Sequence, residues 1–341
     1  MRVFHSPTSS DHDPAGYFRR GEIVAHPEQA ARYAILRDAA AAGGHELVAA
    51  TDQGLEPILA VHEAAYVAFL RDAWDRRGEL PGVGAEILTG HFARPQMHRR
   101  PTSLLGLIGS FTADTSTPIR AGTWGAVHGA AQAAVSAADA ASAGGHAYAL
   151  ARPPGHHAYA DSAGGFCFLN NSAVAAARML AATGGPVAVL DVDVHHGNGT
   201  QGIFYARDDV VTVSIHADPA AYFPYFAGYA DETGVGEGRG ANHNLPLPHG
   251  TGDAGWLDAV GRGLALALER RPRALVVALG FDASEDDPIG VLKVTQDGFS
   301  RAAALIARAG LPTVLVQEGG YLCEALPKNL TAFLEAFDAA R

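Results

Sequence analysis

The chain has 341 residues, 48% hydrophobic and 18% charged, a balance that supports a large globular core and excludes a disordered or fibrous protein. Asp and Glu outnumber Lys and Arg by 36 to 25, and the formal charge of −11 repels a phosphate backbone, so nucleic acid is not an expected partner. No run approaches the roughly 18 uninterrupted apolar residues of a helical membrane span, and no membrane partner is expected.

In chain order, the N-terminal MRVFHSPTSSDHDP lacks the basic-then-apolar pattern of a secretion signal, which points to a cytoplasmic protein. The Ala-rich stretches near 30–42, 126–143 and 173–182 interleave bulky residues with the best helix former and predict packed helices. Residues 78–123 are too long and mixed for an ordinary connection and read as a functional insertion. Apolar runs AYALARP (147–153), PVAVLDVD (186–193), VVTVSIH (210–216), ALVVALGFD (274–282) and PTVLVQEGG (312–320) predict strands. Helical patterns at 170–183 and 253–271 separate some of them. Continuous apolar strands joined by helices predict parallel strands buried on both faces, a doubly wound α/β sheet in a single domain. The cysteines, Cys167 and Cys323, lie far apart without Cys-x-x-Cys spacing and suit a reducing compartment.

Polar clusters follow the carboxyl ends of these strands, where ligands of such sheets bind. The first is LDVDVHHGNGTQ (190–201). Alternation along an extended strand would turn Asp191, Asp193 and His195 to one side. With Asp282 after another strand, Asp193 and His195 make an Asp2His set that suits a catalytic zinc with one open position. The plainer alternative is a helix cap and a hydrogen-bonded core histidine. The second is RPPGHHA (152–158), whose prolines and glycine fix His156 and His157 for general base work; the alternative is a turn with surface histidines. The third, Glu318-Gly319-Gly320-Tyr321, places a phenol after a sharp turn where it can stabilise an oxyanion, or simply pack.

Together with RVFHS, LEPILAVHEAAYVAFL (55–70), GGFCFLNN (164–171), SIHADP (214–219) and GFDASEDDP (280–288), these motifs resemble the histone deacetylase superfamily of zinc amidohydrolases, in particular its bacterial acetylpolyamine amidohydrolase branch. The resemblance spans most of the chain. It implies the arginase/deacetylase fold, a mainly parallel eight-stranded sheet with helices on both faces. It implies one zinc on Asp193, His195 and Asp282, and a potassium ion near Asp191, Asp193, His195 and Ser214. His156 and His157 would be the tandem histidines, His157 the base, with Asp191 orienting His156 and Asn198 partnering His157. Tyr321 would polarise the scissile carbonyl, and Phe166 and Phe223, with Gly165 before the first, would line the acyl tunnel. The implied reaction is hydrolysis of small acetylpolyamines, acetyldiamines or acetyl-lysine.

Rival readings are a binuclear manganese ureohydrolase, opposed by Ser284 where a second Asp is expected, and a non-catalytic sensor, opposed by the completeness of the constellation. The GxSxG and GxxxxGK[ST] motifs are absent. In the insertion, the resemblance places polyamine-binding acids where this chain has Leu105 and Ser116; Asp114 is the only acid of 99–124, and Arg99, Arg100 and Arg120 add positive charge. A long polycation is therefore less favoured than a short acylamine. Leu104, Leu105, Leu107, Ile108 and Phe111 suggest an apolar contact for a homodimer, or else an internal helix.

Overall fold

The apolar runs pair edge to edge in the computed structural model, which describes residues 1–97 and 99–341. The strands are β1 (Arg2–His5), β2 (Gly16–Arg19), β3 (Glu22–Ala25), β4 (Glu46–Ala49), β5 (His146–Leu150), β6 (Val187–Asp191), β7 (Val210–Ala217), β8 (Asn242–Leu247), β9 (Ala274–Leu279) and β10 (Thr313–Gln317). Eight form one sheet in the order β4-β1-β5-β10-β9-β6-β7-β8. Every pairing in it is parallel, so the sheet is parallel throughout and not merely in the main. Strands β2 and β3 form a separate antiparallel hairpin.

Alternation along the central strands feeds two cores. Leu275, Val277 and Leu279 of β9 join one cluster with Trp256, Phe299 and Phe333 from the helices Asp253–Glu269, Gln296–Ala307 and Ala325–Ala339. Ala274 and Val276 point the other way, into a cluster with Ala134, Ala138 and Met179 from the helices Thr123–Ser142 and Asn171–Thr183. Small alanines let these two helices lie close to the sheet, which is the packing use of the Ala-rich stretches. The strands β5, β10, β9 and β6 are neighbours, so the loops after them converge at one edge of the sheet.

Within 78–123 a helix, Leu104–Phe111, is capped by the Ser103 hydroxyl on Gly106 N. Leu104, Ile108 and Phe111 are buried in a third cluster with Ile87, Ile119 and Phe168, Leu107 is half-buried, and only Leu105 is largely exposed. Most of the apolar set offered for a dimer contact therefore serves the chain's own packing. Residue 98 of this segment lies outside the described residues. Among the described residues no helix is long and apolar enough to cross a membrane.

Candidate active site

Strand β6 ends at Asp191, and the polypeptide bends where alternation was expected to continue. Successive side-chain turns do the positioning: Asp193 N donates to Asp191 Oδ1 at 3.1 Å, and His195 N donates to Asp193 Oδ1 at 2.9 Å. The bend sends Asp191 toward His156, while Asp193 and His195 meet Asp282, which follows β9. His195 Nδ1 lies 3.1 Å from Asp193 Oδ1 and 3.2 Å from Asp282 Oδ2. One ligand atom of each of the three residues lies within 4.8 Å of the others, and all three residues are buried.

These donors fit a cation. Two buried carboxylates here have only imidazoles as ionic partners; among the described residues no Lys or Arg pairs with Asp193 or Asp282. Burial of such a pair is costly unless a positive charge joins them. The remaining carboxylate capacity is fixed by backbone amides, Val194 N on Asp282 Oδ1 at 3.0 Å and Gly319 N on Asp193 Oδ2 at 2.8 Å. A side chain at Gly319 would overlap both carboxylates, so glycine is needed for this close approach. Burial opposes the charge on His195, but its hydrogen bonds to Asp193 and Asp282 outweigh it and hold the imidazole at about 9.

The turn after β5 delivers His156 and His157, with ring centroids 4.0 Å apart. His156 Nδ1 lies 2.9 Å from Asp191 Oδ2, and His157 Nδ1 lies 2.6 Å from Asn198 Oδ1. Their environments differ in sign. Burial weighs against charge on both, but Asp191 and Asp193 lift His156 well above the ordinary histidine range. His157 falls well below it, through burial and then the positive charge of His156 and His195. The carboxylate of Glu318 anchors the turn by accepting Gly155 N at 2.6 Å, His156 N at 3.0 Å and the Ser172 hydroxyl at 2.6 Å. The EGGY motif signals its tyrosine but not this buried anchoring role, because nothing local pairs Glu318 with residues over 140 positions earlier.

Tyr321 is 3% exposed and opens on the cavity. Burial, then the charge of Asp282, pushes its phenol well above the ordinary value, so it stays protonated. Its backbone N donates to Asp287 Oδ2 at 2.8 Å. Arg32 braces the same loop, donating to Gly320 O at 2.6 Å and Glu318 O at 2.7 Å, with its guanidinium 4.9 Å from the Tyr321 ring centroid. Glu28 in turn accepts from Arg32 at 2.8 Å and from Arg152 at 2.7 and 3.0 Å. These three buried charges were not singled out in the sequence, where an arginine in an Ala-rich helix carries no signal.

The site opens through a cavity of about 600 Å³. Phe223 sets its edge against His157 (centroids 4.9 Å), Phe166 meets Tyr321 edge-on at 5.8 Å, and Tyr222, not anticipated, stacks on His195 at 4.8 Å. Phe166 has φ 69° and Gly165 φ 55°. That turn is held by Asp114, which accepts Gly165 N at 2.9 Å and the Ser116 hydroxyl at 2.5 Å, while Ser116 Oγ accepts Phe166 N at 3.2 Å. A Cβ at Gly165 would come 2.5 Å from His157 Cδ2.

Ser214 pairs with Asp191 in the β6–β7 register, and both border a small interior cavity of about 10 Å³ with Asn244, whose Oδ1 lacks a hydrogen-bond partner. Ser284 is buried and accepts Asn329 Nδ2 at 3.2 Å. Of the insertion's charges, Arg100 pairs with Glu63 at 3.6 Å and Arg120 with Glu86 at 3.7 Å. Neither they nor Arg99 line the cavity; its arginines are Arg19 and Arg20, from the hairpin β2–β3.

With this geometry in hand, comparison with known proteins is specific. The histone deacetylase domain model matches residues 26–337. An acetylpolyamine amidohydrolase of Burkholderia pseudomallei is 44% identical over 346 residues, covering 100% of both chains. Acetylpolyamine amidohydrolase 1 of Pseudomonas aeruginosa is 44% identical over 299 residues, 86% of each. A crystal structure of acetylpolyamine aminohydrolase from Burkholderia pseudomallei superposes with a TM-score of 0.95 at 44% identity, covering 100% of this chain and 99% of the other. The chain belongs to the histone deacetylase family of amidohydrolases.

Proposed function

We propose that the protein is a zinc-dependent deacetylase that hydrolyses small N-acetylated amines, the acetylpolyamines, acetyldiamines or acetyl-lysine. The observation that carries this reading is the convergence on one cavity of His195, with Asp193 and Asp282 gathered behind it, a neutral His157 and a protonated Tyr321. The relatives named for acetylpolyamines support the substrate class.

Zinc held by Asp193, His195 and Asp282 would supply Lewis acidity, acidifying a water and polarising the amide carbonyl. His157 has its Nδ1 engaged by Asn198 Oδ1, an acceptor, so that nitrogen carries the proton and Nε2 is the basic one. Nε2 takes the proton of the attacking water and returns it to the leaving nitrogen as the C–N bond breaks, giving amine and carboxylate. The Tyr321 hydroxyl donates to the carbonyl oxygen as negative charge grows there. His156, paired with Asp191, adds fixed positive charge nearby. Phe166 and Phe223 flank the acyl chain, with Gly165 permitting their approach.

A structural potassium ion at Asp191, Ser214 and neighbouring carbonyls is part of the same proposal, supported by the oxygen-rich lining there. So are a cytoplasmic location and a homodimer involving 78–123, which light scattering decides. The test of the activity is free-amine release from acetylputrescine, acetylcadaverine, acetylspermidine and an acetyl-lysine peptide by zinc-loaded protein. Tyr321→Phe should keep the metal and lose on the order of 10²–10³ in kcat. Full activity of that variant would overturn the role given to Tyr321.

A further inference from the structure

The hairpin β2–β3 overhangs the active-site cavity, and Tyr17, Phe18, Arg19 and Arg20 all line it. It is pinned in place: the Tyr17 ring meets Phe166 edge-on at 5.6 Å and His26 at 5.4 Å, and His26 Nε2 lies 3.0 Å from Ser116 O. Its two-residue turn is Arg20-Gly21, with φ 50° and 93°. Positive φ at both positions defines the turn type that normally takes Asn-Gly. An arginine there is a backbone compromise, and such compromises cluster where a side chain serves a function.

Among the described residues, neither Arg19 nor Arg20 has an ion-pair partner, although Glu22 is opposite Arg19 in the hairpin register. Among the described residues, Asp114 is the only carboxylate lining the cavity, and its oxygens are already engaged by Gly165 N, Ser116 N and the Ser116 hydroxyl. Nearby Asp287 is likewise spent on the amides of Tyr321, Ile289 and Gly290. The cavity wall beyond the reacting groups therefore presents two unpaired guanidiniums against one carboxylate, Asp114, whose oxygens already hold the turn at Gly165 and Ser116. Arg19 also lines an adjoining hollow of about 380 Å³ that shares Tyr17 and Tyr321, so it stands between the two.

We propose that Arg19 and Arg20 form an anion-selecting rim, and that the favoured substrates are N-acylated amines bearing a carboxylate at the far end. The assignment rests on the deacetylase reading and narrows its substrates to acylamines with an anionic end, a class that includes acetyl-lysine, at the expense of acetylpolyamines and acetyldiamines. Guanidinium binds carboxylate in a planar, two-point, charge-assisted contact and repels a distal ammonium. The relatives named for acetylpolyamines imply cationic tails for their own substrates; this rim carries the same positive charge as such tails and opposes them.

The experiment compares kcat/KM of the zinc-loaded protein on three acetamides of matched chain length: N-acetyl-aminohexanoate, acetylcadaverine and N-hexylacetamide. The expected result is a preference of about tenfold for the carboxylate over the ammonium, shrinking as salt is added. In Arg19→Glu/Arg20→Glu the ratio inverts. Arg19→Gln/Arg20→Asn, whose asparagine suits the turn, brings both charged substrates to the level of the neutral one. Equal or better turnover of acetylcadaverine by the wild type, or a ratio unmoved in both variants, overturns the rim. Silence on all three overturns the deacetylase reading itself.

Discussion

Asn198 and Asp191 put a neutral and a charged acceptor on two histidines whose rings are 4.0 Å apart. Burial and the positive charge of His156 and His195 keep His157 neutral, with no carboxylate at Asn198 to oppose them, while Asp191 and Asp193 let His156 carry charge. Replacing Asn198 by Asp adds negative charge beside His157 Nδ1, which favours the imidazolium and raises its pKa. The base must be neutral to act, so the acid limb of the kcat/KM profile should move to higher pH, by roughly one unit or more. A pH profile of Asn198→Asp with an unmoved acid limb would remove His157 as the base. The residues of this pairing were readable in sequence because each sits in a compact motif. Glu318, Arg32 and Glu28 were not, since their partners lie far away along the chain and only the fold brings them together.

At the level of elements, the long apolar runs β5, β6, β7, β9 and β10 were legible because strands buried on both faces need little else than Val, Leu and Ala. The sheet's remaining strands were not singled out for different reasons. Strands β1 and β4 have four residues each, and β8, at the sheet edge, reads NHNLPL, with Pro246 tolerated only because an edge leaves donors unneeded. The hairpin β2–β3, half exposed, carries no core pattern at all, yet it shapes the cavity mouth. The turn of Gly165 and Phe166 shows how such an element constrains chemistry. Gly165→Ala would add a Cβ against His157 and Phe223 in left-handed backbone, displacing the imidazole or the aromatic wall. The expected cost is on the order of 10²-fold in kcat/KM, as for small misplacements elsewhere, with zinc content unchanged. Near-normal turnover would mean that the turn does not set the position of His157.

For the molecule as a whole, the parallel sheet concentrates buried charge at one edge, and its stability depends on what occupies that edge. In the metal-free protein His195 fills the role of the cation: its folded value of about 9 exceeds the ordinary 6.5 because Asp193 and Asp282 outweigh burial. A histidine raised in this way stabilises fully below pH 6.5 and loses its contribution as pH rises through about 9. The size of that loss is roughly 3 kcal/mol. A divalent ion displaces the proton and binds more tightly as pH rises, so the loaded protein should be spared the loss. Chelation should therefore lower Tm by an amount that grows between pH 6.5 and 9, reaching on the order of 5–10 °C at the alkaline end. Thermal unfolding with and without chelator across that range measures it directly. A chelator effect that is flat or shrinks with pH would show that Asp193, His195 and Asp282 do not exchange a proton for the metal.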